Sequence, residues 1–283
     1  MNNEHLLLAG ALRVFDNFTK SSCDNFTIEH DLENPKFELL RTKYSLLEIA
    51  GNGNDFSKAV NLMRWVYNNV LHSGGGDEVD IQRDPITILE YTLGKGRVPG
   101  IYCRHQAVVF TECCLAVGLI ARTIHCLPFS PNDFDSHVVS MVFISELNKW
   151  VLFDQSNNAY FTDKNGIALS PLEARNLLGR DEVFVCDNIQ REVDLYKQYM
   201  AKNLFYIKFW AVNTFGTDLI ENQVTYHLAP LGFDIHNREI AYCEYAIKNC
   251  PEEIRKEWEE ALEGFKNQQI NTVSEEQFLQ IMR

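Results

Sequence analysis

A thiolate is a strong nucleophile near neutral pH, but it needs a feature that lowers its pKa, a base, and a group that orients the base. Residues 100–123, "GIYCRHQAVVFTECCLAVGLIART", place three cysteines within twelve positions of one apolar stretch. Apolar residues on most sides from Cys103 to Val117, closed by Gly118, predict a buried helix. Only Cys103 stands at its start, where free N–H groups and the macrodipole favour a thiolate. Cys114 falls on the same face but about 16 Å further along the axis. Cys113 points elsewhere, and both read as small buried core residues.

The histidines sort by neighbourhood. His105 is two residues past Cys103 and faces away on the helix, and His125 is mid-strand beside Cys126 with no acid near it in sequence. His5 and His30 lie in an N-terminal segment without a site-like pattern, and His227 and His236 fall where no element is assigned. His137 opens the predicted strand "HVVSMVFI", and the next strand, "KWVLFD", ends on Asp154. A four-residue hairpin loop "SELN" would make Ile144 face Lys149, and counting back puts Asp154 opposite Val139. His137 and Asp154 then become diagonal neighbours on one face, roughly 7 Å apart at the backbone. A slip of one residue would separate them. These are the parts of a Cys-His-Asp triad. Taken singly, each has another use: His137 as a satisfied strand-end polar residue, Asp154 as the cap of the turn "DQSNN".

Three segments in order, "GIYCRHQAVVFTECCLAVGLIAR", "DFDSHVVSMVF" and "KWVLFDQSNNAY", resemble the transglutaminase-like superfamily. That resemblance implies an α+β, papain-like core with a central helix on an antiparallel sheet, Cys103 as nucleophile, His137 as base and Asp154 as its orienting acid. Gly118 and Arg122 match the helix exit, and Trp150 the aromatic before the acid. "MRWVYNNVLHSGG" looks like the helix that precedes the core in many bacterial members. The clear match covers about residues 60–160. Tyr102 directly before the nucleophile and "DQS" in place of Asp-Pro-Thr depart from the pattern and bear on substrate fit.

The chemistry implied is acyl transfer through a thioester on Cys103, with hydrolysis of an amide or peptide bond ranked first because compact members without added β-sandwich domains resemble peptidases. The alternatives are an amide-forming acyltransferase, drawing on a carrier-protein thioester in peptide natural-product assembly, and a non-catalytic peptide- or protein-binding module. The Cys103 N–H is one oxyanion donor, and Tyr102, Gln82 and Trp150 are equal candidates for the second. Arg104 and His105 could contact an acidic substrate, or form a solvated helix end. No cofactor or metal is required, and no calcium-loop pattern occurs.

The elements that must hold these residues are legible by pattern. "DFSKAVNLMRWVYNNVLH" reads as an amphipathic helix behind an Asp55 cap, and "RDPITILEYTLG" as one capped by Asp84 with Pro85 at its first position. "HSGGGDEVD" and "GKGRVPG" read as loops, and "LIARTIHCL" as a strand. "SPLEARNLLG" carries a Ser170/Glu173 capping box with Gly179 as its stop. Helical signals dominate after 188, in 188–203, "REIAYCEYAIKN", "PEEIRKEWEEALEGFK" and "SEEQFLQIM". The aromatics Tyr196, Tyr199, Phe205, Tyr206, Phe209 and Trp210 read as core packing before groove wall. The organisation expected is one domain over 1–283, with a core at about 55–165, an N-terminal helical extension over 1–50 and a mainly helical extension over 188–283.

A formal charge of −13 with no concentrated basic surface argues against a nucleic-acid partner. No run is long and apolar enough to suggest a membrane span, and "LLLAGAL" near the N-terminus reads as an amphipathic helix rather than a secretory signal. The eight cysteines show no C-x-x-C pair and read as reduced thiols in a cytoplasmic protein. The partner expected is a peptide, protein or thioester-linked acyl substrate.

Overall fold

The structure is a computed structural model and describes residues 3–74, 81–95, 100–187 and 192–281. Most of both glycine-containing loops, at 75–80 and 96–99, and the first residues of the helix expected from 188 lie outside the described residues. Ahead of Cys103 come α1 (Asn3–Val14), β1 (Glu29–His30), α2 (Lys36–Tyr44), α3 (Leu46–Ala50), α4 (Asp55–Asn69) and α5 (Pro85–Gly94). Helix α6 (Cys103–Ala116) leads into β2 (Ala121–Leu127), β3 (His137–Ile144), β4 (Lys149–Asp154) and β5 (Ala159–Thr162). Then follow α7 (Pro171–Arg180), β6 (Phe184–Cys186), α8 (Val193–Asn203), β7 (Tyr206–Trp210), β8 (Val212–Asn213) and β9 (Thr225–Leu228). The last elements are α9 (Ile235–Asn249), α10 (Glu252–Asn267), β10 (Asn271–Thr272) and α11 (Glu275–Phe278).

Among the described residues eight strands form one sheet in the order β10-β9-β7-β2-β3-β4-β5-β6. It is antiparallel except where β10 joins β9. One face packs on α6, with Val142, Ile144, Val151 and Phe153 against Val109, Phe110 and Cys113. The other carries Val139, Met141 and Leu152 beneath Leu12, Leu178, Tyr196 and Phe278. Full burial of each such side chain contributes about 1.5–3 kcal/mol, so the sheet is held from both sides, as the α+β expectation requires.

Local chemistry explains the element ends. Asp84 caps α5, accepting from the N–H groups of Ile86 and Thr87, with Pro85 behind it. The Ser170/Glu173 capping box opens α7. Two ends differ from expectation. Asn54, not Asp55, caps α4 by accepting from the Ser57 N–H at 2.9 Å, and Asp55 is drawn instead to Ser145 in the β3–β4 loop. Gly179 lies inside α7, where a Cβ would come within 3.3 Å of Leu12 and Arg13 of α1. The helix stops one residue later, with Asp181 left-handed at φ 56°.

The region after 188 holds the predicted helices and also supplies β7, β9 and β10, which extend the sheet from the open side of β2. Most of the aromatic run is buried there. Phe209 packs edge-on to Phe278, and Phe205 to Phe233. Among the described residues no helix is long and apolar enough to cross a membrane.

Candidate active site

The β3–β4 hairpin has the expected register: Ile144 faces Lys149 and Ser140 faces Phe153. Its loop is a short 3-10 turn ended by Asn148 at φ 50°, a conformation asparagine tolerates. His137 therefore opens one strand beside the end of the next. Its Nε2 lies 2.8 Å from Asp154 Oδ2, and both side chains are buried.

Asp154 is saturated with donors. Oδ2 also accepts from Asn157 Nδ2 at 2.8 Å and from the Tyr196 hydroxyl at 2.9 Å. Oδ1 accepts the N–H groups of Ser156 and Asn157 at 3.1 and 3.2 Å. Both readings of Asp154 are thus satisfied at once, one oxygen capping the turn and the other meeting the imidazole. Burial pushes the carboxyl up, but the His137 charge and these hydrogen bonds hold it below the ordinary carboxylate range.

Helix α6 brings Cys103 to the same place. Its N-cap is Tyr102 in extended conformation, without a side-chain cap bond, and polar contacts from Thr111 to Ser140 and Thr123 seat the helix on β3 and β2. Its far end is tied by Arg41 to the Ala116 carbonyl at 2.7 Å, and Gly118 turns out at φ 86°. With Nε2 committed to Asp154, Nδ1 is the ring nitrogen left for the thiol, and it is buried with no hydrogen bond of ordinary geometry. Burial pushes the Cys103 thiol up; hydrogen bonding to His137 and His72, the His137 charge and the Val138 N–H outweigh this and bring it to about 6. Burial pushes His137 down, but the Asp154 charge and hydrogen bond, then Cys103, raise it to about 10. These opposite shifts favour a thiolate beside an imidazolium.

Cys113 and Cys114 of α6 and Cys126 of β2 behave as packing residues. Cys113, Cys114 and Cys126 are buried, and burial pushes each thiol well above its usual range.

Two residues at the site carried no sequence signal. His72 reaches Cys103 because its backbone pairs with Ile101, with Ser73 N–H to the Ile101 carbonyl at 2.9 Å and Ile101 N–H to the Leu71 carbonyl at 2.8 Å. Tyr196 comes from α8, forty-two residues past Asp154, and only its place among core-like aromatics pointed to it.

The candidate substrate contacts fare differently. Trp150 is a correction: it is buried, donates Nε1–H to the Leu279 carbonyl at 2.9 Å and lies over Arg122, so its donor is spent away from the thiol. Gln82 is exposed and lines a groove with Lys36, Leu39, Phe215 and Ile220 whose walls do not include Cys103. Tyr102 adjoins the thiol in sequence, with its ring stacked on His105 at 6.2 Å. Arg104 and His105 are not a solvated helix end. Arg104 pairs with Asp218 at 2.6 Å, and His105 is buried and pushed down to about 4 by burial and then by Arg83 and Arg104.

A comparison with curated proteins finds no match. A solved structure from Cytophaga hutchinsonii, described as a candidate cysteine protease, is similar at 21% identity with a TM-score of 0.33. The similarity covers 63% of this chain and 52% of that one, so this chain spans about half of that protein's length. Residues 46–155 match the family model of the Transglutaminase-like superfamily. That segment runs from α3 to the turn after β4 and contains Cys103, His137 and Asp154. Across residues 46–155, then, the chain is similar to the Transglutaminase-like superfamily.

Proposed function

We propose that this protein is a cysteine-dependent acyl-transfer enzyme that hydrolyses an amide or peptide bond through a thioester on Cys103. The observation that carries the reading is the convergence of a lowered thiol at a helix start with an imidazole whose far nitrogen is held by a buried carboxylate.

The Cys103 thiolate attacks the carbonyl carbon, and the negative charge passes from sulfur to the carbonyl oxygen. The proton on His137 Nδ1 goes to the amine nitrogen as the C–N bond breaks, leaving a thioester and a neutral imidazole. That imidazole takes a proton from water, the resulting hydroxide adds to the thioester, and the acid leaves as the thiolate–imidazolium pair is restored. Asp154 keeps Nε2 as a donor, so Nδ1 is the nitrogen that exchanges protons. For the oxyanion the donors are the Cys103 N–H, at a helix start where such groups lack intrahelical partners, and His72.

The test is incubation with peptide amides and acyl thioesters, with and without added amines, followed by intact-mass measurement. A mass adduct on Cys103 that decays to free acid in water supports hydrolysis. An adduct that persists until an amine is added would assign amide formation instead. Full turnover by a C103A variant would overturn both.

A further inference from the structure

A row of basic side chains that the cysteine chemistry leaves unused runs across the sheet beside the thiol. His125 of β2 faces Lys208 of β7, and Lys208 faces His227 of β9. Facing residues share a side of the sheet, and Thr123, two positions before His125, bonds Thr111 of α6, so the row lies on the α6 side. At its near end His125 faces Val138, whose backbone N–H serves the Cys103 sulfur. Strand spacing sets the Lys208 backbone roughly 10 Å from Val138, and His227 about 5 Å beyond.

The row is short of partners. Lys208 is partly buried and has no ion-pair or hydrogen-bond partner among the described residues, in a chain whose formal charge is −13. The carboxylates that act on it are engaged elsewhere: Asp218 with Arg104 at 2.6 Å, and Glu239 with Arg238 at 3.1 Å and the Tyr206 hydroxyl at 2.5 Å. His125 and His227 are 8% and 5% exposed, and Nε2 of the first and Nδ1 of the second are buried without a partner among the described residues. The His125 ring stands edge-on to Trp210 at 5.0 Å, and the Arg104 guanidinium lies 5.2 Å from the same indole. Buried polar atoms without partners are costly, each by about 1–3 kcal/mol, and here they stand in one row with Lys208.

We propose that Lys208, flanked by His125 and His227, is a carboxylate-binding subsite that selects substrates carrying an acidic group about 10 Å from the carbonyl attacked by Cys103. The proposal rests on the cysteine reading above for its reacting atom, and on the sheet register for its geometry. Burial keeps both imidazoles neutral; His125 can offer an N–H without added charge, while His227, whose ring bonds the Asn271 backbone, bounds the far side of the row. One free positive charge suits a monoanion. A phosphate dianion would meet Asp218 and Glu239 with too little to offset them. Both an acidic side chain and a peptide C-terminus carry such a carboxylate.

The test uses 6-(iodoacetamido)hexanoic acid and its primary amide, which place a carboxylate or a neutral group at matched distance from the alkylating carbon. The ratio of their rates at Cys103, read by peptide mass spectrometry, cancels effects on the thiol itself. We expect the acid to react at least about five-fold faster than the amide, the preference to vanish in K208Q and to survive in part in K208R. Equal rates in the unmodified protein, or a preference that persists in K208Q, would overturn the subsite. Failure of every reagent to label Cys103 would instead overturn the cysteine reading. In that case NMR titration of a C103S variant with 6-acetamidohexanoate and its amide decides: shifts at Lys208, His125 and His227 with the acid alone support the subsite, and their absence rejects it. Peptides with Glu against Gln, and with free against amidated C-termini, then separate the two sources of the carboxylate.

Discussion

The Tyr196 hydroxyl donates to Oδ2 of Asp154 at 2.9 Å, the same oxygen that meets His137 Nε2 at 2.8 Å. A phenol from a helix outside the family-matched segment therefore steadies the acid behind the imidazole. Its ring stacks on Phe161 at 5.5 Å, which would hold a phenylalanine equally well. We expect Y196F to fold normally yet raise the proton affinity of Asp154, weaken the imidazolium and move the Cys103 thiol upward by about half a unit to one unit. The pH profile of Cys103 alkylation reads this directly, and an unchanged midpoint would remove Tyr196 from the site.

The sign of the pH dependence follows from the two shifted groups. Cys103 is drawn to about 6 and His137 raised to about 10. Below the lower value the sulfur is protonated and unreactive; between them it is a thiolate beside a cation. Iodoacetamide labelling of Cys103 should rise through about pH 6 and level off well before the ordinary thiol range of about 8.5. Cys113, Cys114 and Cys126 should stay silent. D154N should move the midpoint up by a unit or more. A wild-type midpoint in the ordinary range would contradict the charge pair.

His72 is testable by what replaces it. If its N–H helps hold the oxyanion, H72A should slow acylation by a p-nitrophenyl ester about 100-fold, in the range seen for loss of one such donor. H72Q, which restores an N–H, should recover part of that rate. Equal losses in both variants, with a matching fall in thermal stability, would mark His72 as a structural residue.

Arg122 concerns stability alone. Its guanidinium is fully buried among Trp150, Phe209 and Phe278 at 4.5, 5.3 and 5.0 Å, bonded to the Phe278 carbonyl through Nη2 while Nε and Nη1 lack partners among the described residues. R122A should lose about 3 kcal/mol or more by opening a cavity and dropping one of the contacts to the C-terminal segment. R122M, which fills the space and removes a buried charge, should lose less than about 1.5 kcal/mol. Urea denaturation of the two variants gives the comparison.

The hairpin was legible because two local rules agreed: loop length set the pairing, and side-chain alternation then put His137 and Asp154 together. Cys103 was legible because helix starts announce themselves. Tyr196 was not, since a buried aromatic at a site and one in a core look alike until the phenol oxygen has an address. His72 was hidden because only the pairing of two loop segments, around Ser73 and Ile101, carries it to the thiol. Strand β7 was missed for another reason. Tyr206, Ile207 and Phe209 are all buried between layers, so the run lacks the alternation that marks a strand with one wet face. The error over Trp150 has the same root: a sequence names a donor but not the carbonyl, at Leu279, that consumes it.

The sheet also bears on where this protein can be cut. Strand β7 lies along β2, and Trp150 and Arg122 reach carbonyls at Leu279 and Phe278. A fragment trimmed to 46–155 would expose a bare row of backbone groups along β2 and strip the cover from one whole side of the hairpin. Such a piece should aggregate when expressed alone, and the smallest unit fit for crystallisation or enzymology must keep the downstream residues that wrap back over it.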